Sequence, residues 1–355
     1  MKKSFLSQLL VMSSLVIFVG CGSDSTNYSL LPSAEIFEQT TAFNNKLDIL
    51  FVISDKPSMS SHQAKLVASF ATFINQFVSK GFDFKIAVVT TSAYMADPTL
   101  NGYDSADVAE ADFNDSDGTQ NSGIYVITPD DPNILTDFAI NAKPDKNTSG
   151  QDGRAFSSFR QALNSTRPIN QGFLRPDSFL AVVIVDNADD FSGNGRCVGC
   201  NVSGRYNAPT LDAVSVYKDY LETLTGTSGA TARFNVSAMT QSASPCQGGQ
   251  NMVRIMDLAN TTNGVIGDIC QSDFGASMAE ISNQISTLST QFFLDREPIV
   301  SSISVIVDGA VIAQDPNNGW QYNATANSIT FHGTAVPAQG SQIMVNFDPL
   351  TIDTN

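Results

Sequence analysis

Two groups of polar side chains in this 355-residue chain each follow directly after a strongly apolar run. The first group follows the run at 47–53, and the second follows the run at 179–185. Their members carry hydroxyl, carboxyl or amide oxygens and are Ser54, Asp55, Ser58, Asp186, Asn187 and Asp189. Oxygen atoms of this kind are the ligands that hard divalent cations prefer. Lys56 lies among them, however, and its ammonium group would repel such a cation.

A nucleophilic serine is the other chemistry that the first group could support. Ser58 and Ser60 have one histidine nearby in sequence, His62, and we expect its ring to face solvent on the first turn of a helix. The chain has no Gly-x-Ser-x-Gly elbow of the kind that presents a catalytic serine, and no Gly-x-x-x-x-Gly-Lys phosphate loop. We therefore expect no enzymatic activity.

The elements that must position these side chains alternate between strands and helices from residue 46 onward. Apolar runs predict strands at 47–53, 82–90, 123–128, 179–185, 233–239 and 264–269. Helices are predicted at 58–80, 132–142, 154–163, 209–225, 251–260 and 273–292, with a long surface loop at 92–122. This alternation predicts an α/β fold with a doubly wound, mostly parallel six-stranded sheet that is flanked by helices.

The sequence changes in character near Pro298. Beyond it, short segments of alternating polarity at 302–309, 319–331 and 341–349 are separated by turn signals. They predict a small all-β, sandwich-like domain at 298–355. Because about 58 residues form only a marginal core, we expect this domain to dock on the α/β domain.

Over residues 44–295 the chain resembles von Willebrand factor A-like domains of bacterial lipoproteins. The resemblance is carried by "LDILFVI" leading into Ser58-Met59-Ser60, by "GFLRPDSFLAVVIVDNADD" (172–190) and by "MDLANTTNGVIGDIC" (256–270). Such domains usually hold Mg²⁺ in a metal-ion-dependent adhesion site at the carboxyl ends of the first and fourth strands. The resemblance therefore implies that the loops 54–61 and 186–200 share one rim, at the point where strand order reverses.

The family's ligand pattern is only partly present. Its first loop reads Asp-x-Ser-x-Ser, whereas the matching positions here hold Ser54, Lys56 and Ser58. The aspartate expected after the fourth strand falls on Asn187, although Asp186 could replace it by a small backbone shift. We expect a degenerate site that disfavours Mg²⁺ and Ca²⁺, with Lys56 taking the cation's place beside Asp186 or Asp189. A retained weak metal site, built on Ser58 and Asp186, is the alternative.

Two further loops contain oxygen ligands. The family takes a threonine from a second loop, which the resemblance places at 147–154, where Thr148, Ser149 and Asp152 are candidates. The acidic segment 112–119 is similar to a calcium loop, but its glycine falls one place late and no glutamate stands at the twelfth position. We expect that segment to be a solvated acidic loop.

The N-terminus has the features of a bacterial export signal. Basic residues precede an apolar run from Leu9 to Val19, and the small Gly20 stands just before Cys21. Residues 1–20 are therefore predicted to be a signal peptide, and Phe18-Val19-Gly20-Cys21 resembles a lipoprotein box in which Cys21 is acylated. An ordinary cleaved signal with a chance cysteine is the alternative. Because Gly22 follows the cysteine, we expect an outer-membrane lipid anchor, with residues 21–43 as anchor and tether.

Four further cysteines predict disulfides in an oxidising envelope. They are Cys197, Cys200, Cys246 and Cys270. An even number favours two bridges, for which three pairings exist, and we predict Cys197–Cys200 with Cys246–Cys270. A zinc site is disfavoured because both histidines, His62 and His332, lie far from these cysteines in sequence.

The charge of the chain restricts its partners. A formal net charge of −16 argues against nucleic acid as a partner. The leading hypothesis is a membrane-anchored, non-catalytic adhesion or assembly module that binds a protein or cell-surface ligand at the rim. The alternative is an envelope scaffold in which the A-like fold has no ligand site and the 92–122 loop or the β domain carries the interactions.

Overall fold

The computed structural model describes residues 37–99, 105–144, 153–164, 166–193, 211–241 and 252–350. All of them belong to one compact unit, Ile36–Asn355. The predicted signal peptide, Cys21 and the tether up to residue 36 lie outside the described residues. No helix within the described ranges combines the length and the apolar character needed to cross a membrane.

The strands and helices of the described residues follow one another as the sequence predicts over most of the chain. The strands are β1 (Phe37–Ala42), β2 (Lys46–Ile53), β3 (Asp83–Thr90), β4 (Val126–Ile127), β5 (Phe179–Val185), β6 (Phe234–Thr240), β7 (Ile266–Asp268), β8 (Gln291–Phe293), β9 (Ser304–Val307), β10 (Ala310–Ile312), β11 (Trp320–Asn323), β12 (Ser328–Phe331) and β13 (Gln342–Phe347). The helices are α1 (Ser60–Val78), α2 (Ile134–Asn141), α3 (Ala155–Ala162), α4 (Val214–Thr225), α5 (Val253–Thr261) and α6 (Gly275–Ser289).

The main sheet has six strands in the order β4-β3-β2-β5-β6-β7. Five of them are parallel, and β4 is a two-residue antiparallel strand at one edge. The predicted fold class, an α/β fold with a mostly parallel six-stranded sheet and an additional β region, is therefore confirmed. Strand order reverses at β2, because β3 lies on one side of it and β5 on the other.

Two apolar cores cover the two faces of this sheet. On one face α1, α2 and α6 pack their apolar side chains, including Phe70 and Phe138, against alternate residues of β2 such as Phe51. On the other face α3, α4 and α5 contribute side chains such as Phe159 and Tyr217. Because helices cover both faces, β2 and β5 are buried along almost their whole length, which explains their continuous apolar sequences.

The segment 92–122 is not purely a surface loop, and that part of the prediction is wrong. It contains short 3₁₀ turns at Ala93–Ala96 and Ser105–Ala111. Ala93, Ala111 and Phe113 are buried in the core beside α3. The small and aromatic residues scattered through this polar segment are what attach it to the sheet.

A network of hydrogen bonds closes the amino-terminal end of the main sheet. The Arg175 side chain donates to Asp48 Oδ1 at 2.8 Å and to Asp83 Oδ1 at 2.6 Å. Asp48 Oδ2 also accepts from the Arg175 backbone N–H at 2.7 Å and from the Ser178 hydroxyl at 2.6 Å. Arg175 thus holds the first residues of β2 and β3 together. We call Arg175, Asp48, Asp83 and Ser178 the amino-end clamp.

The β region consists of two small antiparallel sheets. One has the order β1-β13-β9-β10, and the other has the order β11-β12-β8. Their shared core contains Trp320, Phe331 and Phe347. β1 comes from the predicted tether and β8 from inside the predicted A-like region, so the prediction of a tether through residue 43 is wrong for Phe37–Ala42. The physical reason is size: a short C-terminal segment gains a larger core when strands from outside it join.

Candidate functional site

The carboxyl ends of β2 and β5 lie side by side at the point where strand order reverses. Ile53 and Val185 are paired in the parallel register, and the Ser54 N–H donates to the Val185 carbonyl at 3.0 Å. The loops that begin at Ser54 and Asp186 therefore leave the sheet together. We call the surface formed by Ser54, Asp55, Lys56, Ser58, Asp186 and Asn187 the rim.

Asp186 and Lys56 face each other at the centre of the rim. Asp186 is 1 % exposed, and its Oδ1 accepts from the Ala188 N–H at 2.9 Å. Asp186 Oδ2 and Lys56 Nζ each lie 3.0 Å from the position that a Cβ on Gly153 would occupy. A side chain at position 153 would crowd both groups, so the glycine leaves room for Lys56 to lie near Asp186. Burial raises the pKa of Asp186 above its usual range, and the charge of Lys56 opposes that rise.

A second buried carboxylate lies next to this pair. Asp55 is 6 % exposed and accepts a hydrogen bond from Ser92 Oγ at 3.1 Å. Its negative charge adds to the effect of burial in raising the pKa of Asp186. Ser54 Oγ is buried near Asp186 but makes no hydrogen bond of good geometry with any described residue. The rim thus combines two buried carboxylates, one ammonium group and the buried hydroxyl of Ser54.

The Asp189 carboxylate caps a helix. Its Oδ1 accepts from the backbone N–H groups of Asp190 at 2.9 Å, Ile255 at 3.1 Å and Arg254 at 3.2 Å. Two of these donors belong to the first turn of α5, whose amino end favours a negative charge. Burial nevertheless outweighs these hydrogen bonds and raises the pKa of Asp189 to about 6. Its carboxylate is therefore committed to the start of α5.

Asp190 connects the start of α3 to Arg254 of α5. Its Oδ1 accepts from the Phe156 N–H at 3.0 Å and from the Ser192 hydroxyl at 2.7 Å. Its Oδ2 accepts from the Arg254 guanidinium at 3.2 Å. Burial raises the pKa of Asp190, whereas the charge of Arg254 lowers it. Asp190 and Arg254 thus hold the starts of α3 and α5 beside the rim.

The solvent-facing part of the rim is formed by Ser58, Lys56 and Asn187. Ser58 is exposed, and its Oγ accepts a hydrogen bond from Asn187 Nδ2 at 3.2 Å. The Asn187 carbonyl in turn accepts from Gln241 Nε2 at 3.3 Å. The Asn187 amide therefore bridges the two loops where the family pattern has an aspartate.

These side chains fit a Mg²⁺ ligand set poorly. The carboxylate of Asp189 is engaged by backbone amides, and Asn187 offers its amide N–H₂ to Ser58. The ammonium group of Lys56 faces the Asp186 carboxylate, and the Asp55 carboxylate accepts a hydrogen bond from Ser92. Within the described residues, no three His, Cys, Asp or Glu side chains converge as a metal cluster.

Several predicted site residues lie outside the described residues. They are the lipidation candidate Cys21, the second-loop candidates Thr148, Ser149 and Asp152, and Cys197, Cys200 and Cys246. Cys270 is described and is disulfide-bonded. The pairing of the four cysteines stays a prediction.

His62 does not face solvent, so that prediction is wrong. Its ring is 3 % exposed and lies parallel to the Phe274 ring, with 6.5 Å between centroids. Both ring nitrogens are buried near the Ile269 backbone without a hydrogen bond of good geometry to any described residue. The reason is that α1 packs against α6, which places the first turn of α1 under the loop before α6.

The acidic segment 112–119 does not form a converging set of ligands. Asp112 pairs with Arg167 at 2.5 Å. The Asp117 carboxylate accepts hydrogen bonds from Thr119 and Gln120, which lower its pKa to about 2. These carboxylates are therefore used separately, one in an ion pair and one in closing its own turn.

Two buried arginines beside the rim were not anticipated from the sequence. Arg154 is 1 % exposed and stacks on the Tyr94 ring, with 4.6 Å from Cζ to the ring centroid. Arg254 is buried against Asp190. A signal for Arg254 exists, because it is a lone charge in the apolar sequence 252–256 and such a residue requires a buried carboxylate partner.

No protein-family model matches the chain, and no curated protein matches it. The chain is similar to the pilus adhesin SpaC of Lactobacillus rhamnosus GG at 9 % identity and a TM-score of 0.39, over 90 % of this chain and 42 % of SpaC.

Two other solved structures are similar at the same level. Proximal thread matrix protein 1 of the mussel byssus has 10 % identity and a TM-score of 0.37, over 73 % of this chain and 51 % of that one. The pilus adhesin RrgA of Streptococcus pneumoniae has 8 % identity and a TM-score of 0.31, over 87 % and 58 %. The chain thus spans about half the length of these three proteins.

Proposed function

We propose that this protein is a non-catalytic binding module with a von Willebrand A-like domain, and that it binds a protein or cell-surface partner at the rim. The observation that carries the proposal is the concentration of Asp55, Lys56 and Asp186 at the point where strand order reverses. Ligands of open α/β sheets bind at this position. Buried titratable groups with shifted pKa values are also typical of functional sites.

Partner binding in this proposal does not depend on a metal ion. The Lys56 ammonium supplies the positive charge opposite Asp186, and the exposed hydroxyl and amide of Ser58 and Asn187 offer hydrogen bonds to a partner. A divalent cation next to Lys56 would be repelled by its charge. We therefore propose a degenerate adhesion site that works without Mg²⁺ or Ca²⁺.

The absence of catalysis is part of the same proposal. A serine nucleophile needs a base within hydrogen-bond reach. The Ser58 hydroxyl is bonded to the Asn187 amide, and His62 is buried against Phe274 instead of facing Ser58. These contacts favour a binding role for the rim.

The proposed location rests on the leader sequence alone. An apolar run followed by Gly20-Cys21 supports export, acylation of Cys21 and anchoring in the outer membrane. Mass spectrometry of the mature N-terminus tests this part, because acylation predicts a lipid-modified Cys21. An unmodified N-terminus at any other residue would contradict it.

Site-specific crosslinking in intact cells tests the rim. A photoreactive residue replaces Ser58 in the full chain, and the matched control carries it at Ser79, an exposed serine at the opposite end of α1. We expect discrete crosslinked products from position 58 only, with the same yield in EDTA. Products from both positions alike, or from neither, would contradict binding at the rim, and the second result would favour the scaffold hypothesis.

A further inference from the structure

A cavity of about 560 Å³ lies beside the amino end of β6, away from the rim. Its walls are the end of α5, the last turns of α6 and the turn between β11 and β12. A smaller cavity of about 370 Å³ continues from it and shares Ala232, Leu288 and Gln291. We call the larger space the amino-end cavity.

The walls of the amino-end cavity carry neutral hydrogen-bonding groups. The amide and hydroxyl residues among them are Asn260, Thr261, Thr262, Asn263, Gln284, Thr287, Gln291, Asn323 and Thr325. Gln284 is already engaged, because its Nε2 donates to the Asn263 carbonyl at 2.9 Å. The side-chain amides of Asn260 and Gln291 make no hydrogen bond to any described residue. At least two amides are thus available to a ligand.

The charge of the cavity is balanced within its own walls. Lys218 and Glu222 are its charged residues, and they form an ion pair with each other one turn apart on α4. A neutral cavity is notable in a chain with a formal net charge of −16. An anionic or cationic ligand would therefore find no unpaired counter-charge among these residues.

The base of the cavity is apolar. Ala232, Phe234 and Leu288 contribute hydrocarbon, and Gly264 contributes backbone without a side chain. Hydrocarbon below and amides around the sides suit a ligand that has both C–H faces and hydroxyl groups. A purely apolar ligand would bury the Asn260 and Gln291 amides without partners, which costs free energy.

We propose that the amino-end cavity binds a neutral oligosaccharide. Sugar hydroxyls would meet the amides of Asn260 and Gln291, and the C–H face of a sugar ring would lie on Leu288 and Ala232. The volume of about 560 Å³ falls within the range of small-ligand sites. The site is independent of the rim, which lies at the opposite end of the main sheet.

Ligand-observed NMR on the full chain tests this assignment. The probes are maltotriose, mannotriose and N,N′,N″-triacetylchitotriose, with 3′-sialyllactose as the charged comparison. We expect saturable binding of at least one neutral trisaccharide at millimolar concentration. Asn260→Ala weakens it by about tenfold, the equivalent of one hydrogen bond. Asn283→Ala is the matched control, because Asn283 is exposed on α6 outside the cavity, and it leaves binding unchanged.

The following outcomes would contradict binding of a neutral oligosaccharide in the amino-end cavity. No saturable binding of any of the three neutral trisaccharides contradicts the ligand class, as does stronger binding of 3′-sialyllactose. Binding that Asn260→Ala and Asn283→Ala affect equally contradicts the location. Crosslinking from position 58 is a separate readout, so failure of the rim proposal is distinguishable from failure of this one.

Discussion

The two ends of the main sheet use charge in opposite ways. At the amino end, the clamp residue Arg175 contacts the carboxylates of Asp48 and Asp83 directly, and Asp48 is fully buried with all its donors in place. At the carboxyl end, Lys56 faces Asp186 across Gly153 without a direct ion pair to any described carboxylate. The first arrangement is a closed network of direct ion pairs, whereas the second places an ammonium group opposite a buried carboxylate without a direct ion pair among the described residues.

Buried polar atoms without a hydrogen-bond partner among the described residues occur near both ends of the sheet, and those at the amino end include Asn45 Oδ1, Arg233 Nε and Asn235 Oδ1. Next to the rim, Ser54 Oγ, Thr240 Oγ1 and Gln241 Oε1 are buried without a hydrogen-bond partner among the described residues. The four residues of the amino-end clamp include no such atom. Buried polar groups are normally paired, and each exception requires its own explanation. The clamp residues themselves are fully hydrogen-bonded, whereas the rim and its neighbours include buried polar atoms that no described residue engages.

The largest expected effect comes from breaking the amino-end clamp. Arg175→Met removes the partner of fully buried Asp48 and should lower the free energy of unfolding by about 3–5 kcal/mol, because an uncompensated buried charge remains. Urea denaturation followed by circular dichroism measures the loss. The double variant with Asp48→Asn should recover part of it. A loss below about 1 kcal/mol would show that the clamp is not structural.

A pH-dependent effect is expected at His62, on the first turn of α1. Burial, assisted by the charge of Lys65, lowers the pKa of His62 below its usual value of 6.5. The folded chain therefore binds this proton less readily than the unfolded chain, and stability is lost as pH falls below 6.5. The loss relative to His62→Phe should reach about 1.4 kcal/mol per pH unit at most.

Denaturation of wild type and His62→Phe at pH 7.5, 6.5 and 5.5 measures this difference. Asp189 acts in the opposite direction, because its raised pKa of about 6 makes its contribution to stability decrease as pH rises from about 4 to 6. Both proteins retain Asp189, so its effect cancels in the comparison. Parallel pH profiles for the two proteins would show that the buried ring does not titrate in this range.

The smallest effect on stability is expected at the rim itself. Lys56 is half-buried and has no direct ion pair with a described residue, so Lys56→Met should change the free energy of unfolding by less than about 1 kcal/mol. The pKa of Asp186 should rise further, because the positive charge that opposes its rise is removed. Carboxyl NMR titration measures that shift. A loss of stability as large as that of Arg175→Met would show that Lys56 contributes as much to the free energy of unfolding as the amino-end clamp does.

The sequence predicts the main sheet well because its strands are buried on both faces. The apolar runs at 47–53 and 179–185 coincide almost residue for residue with β2 and β5. β1 was missed for a different reason. Phe37–Ala42 is not continuously apolar, and its partner is β13, with Phe37 opposite Phe347. A strand defined by such a distant partner has no local signal.

The rim is predictable only in part. The paired ends of β2 and β5 place Ser54 and Asp186 together. A lysine at position 56 indicates that a cation bound there would be repelled. The role of Asp189 could not be predicted, because it depends on where the first turn of α5 lies relative to the loop after β5. The prediction that His62 faces solvent failed for a similar reason, since the burial of its ring depends on how α6 packs on α1. Such contacts are decided by helix packing and not by local sequence.

Titration of Mg²⁺ into the full chain tests whether the rim holds a lysine in place of a metal ion. Calorimetry and thermal unfolding are compared for wild type and Asp186→Asn, which removes the carboxylate opposite Lys56. We expect no saturable binding and an unfolding temperature that is the same in Mg²⁺ and in EDTA. Saturable Mg²⁺ binding with a raised unfolding temperature, both abolished by Asp186→Asn, would contradict this expectation.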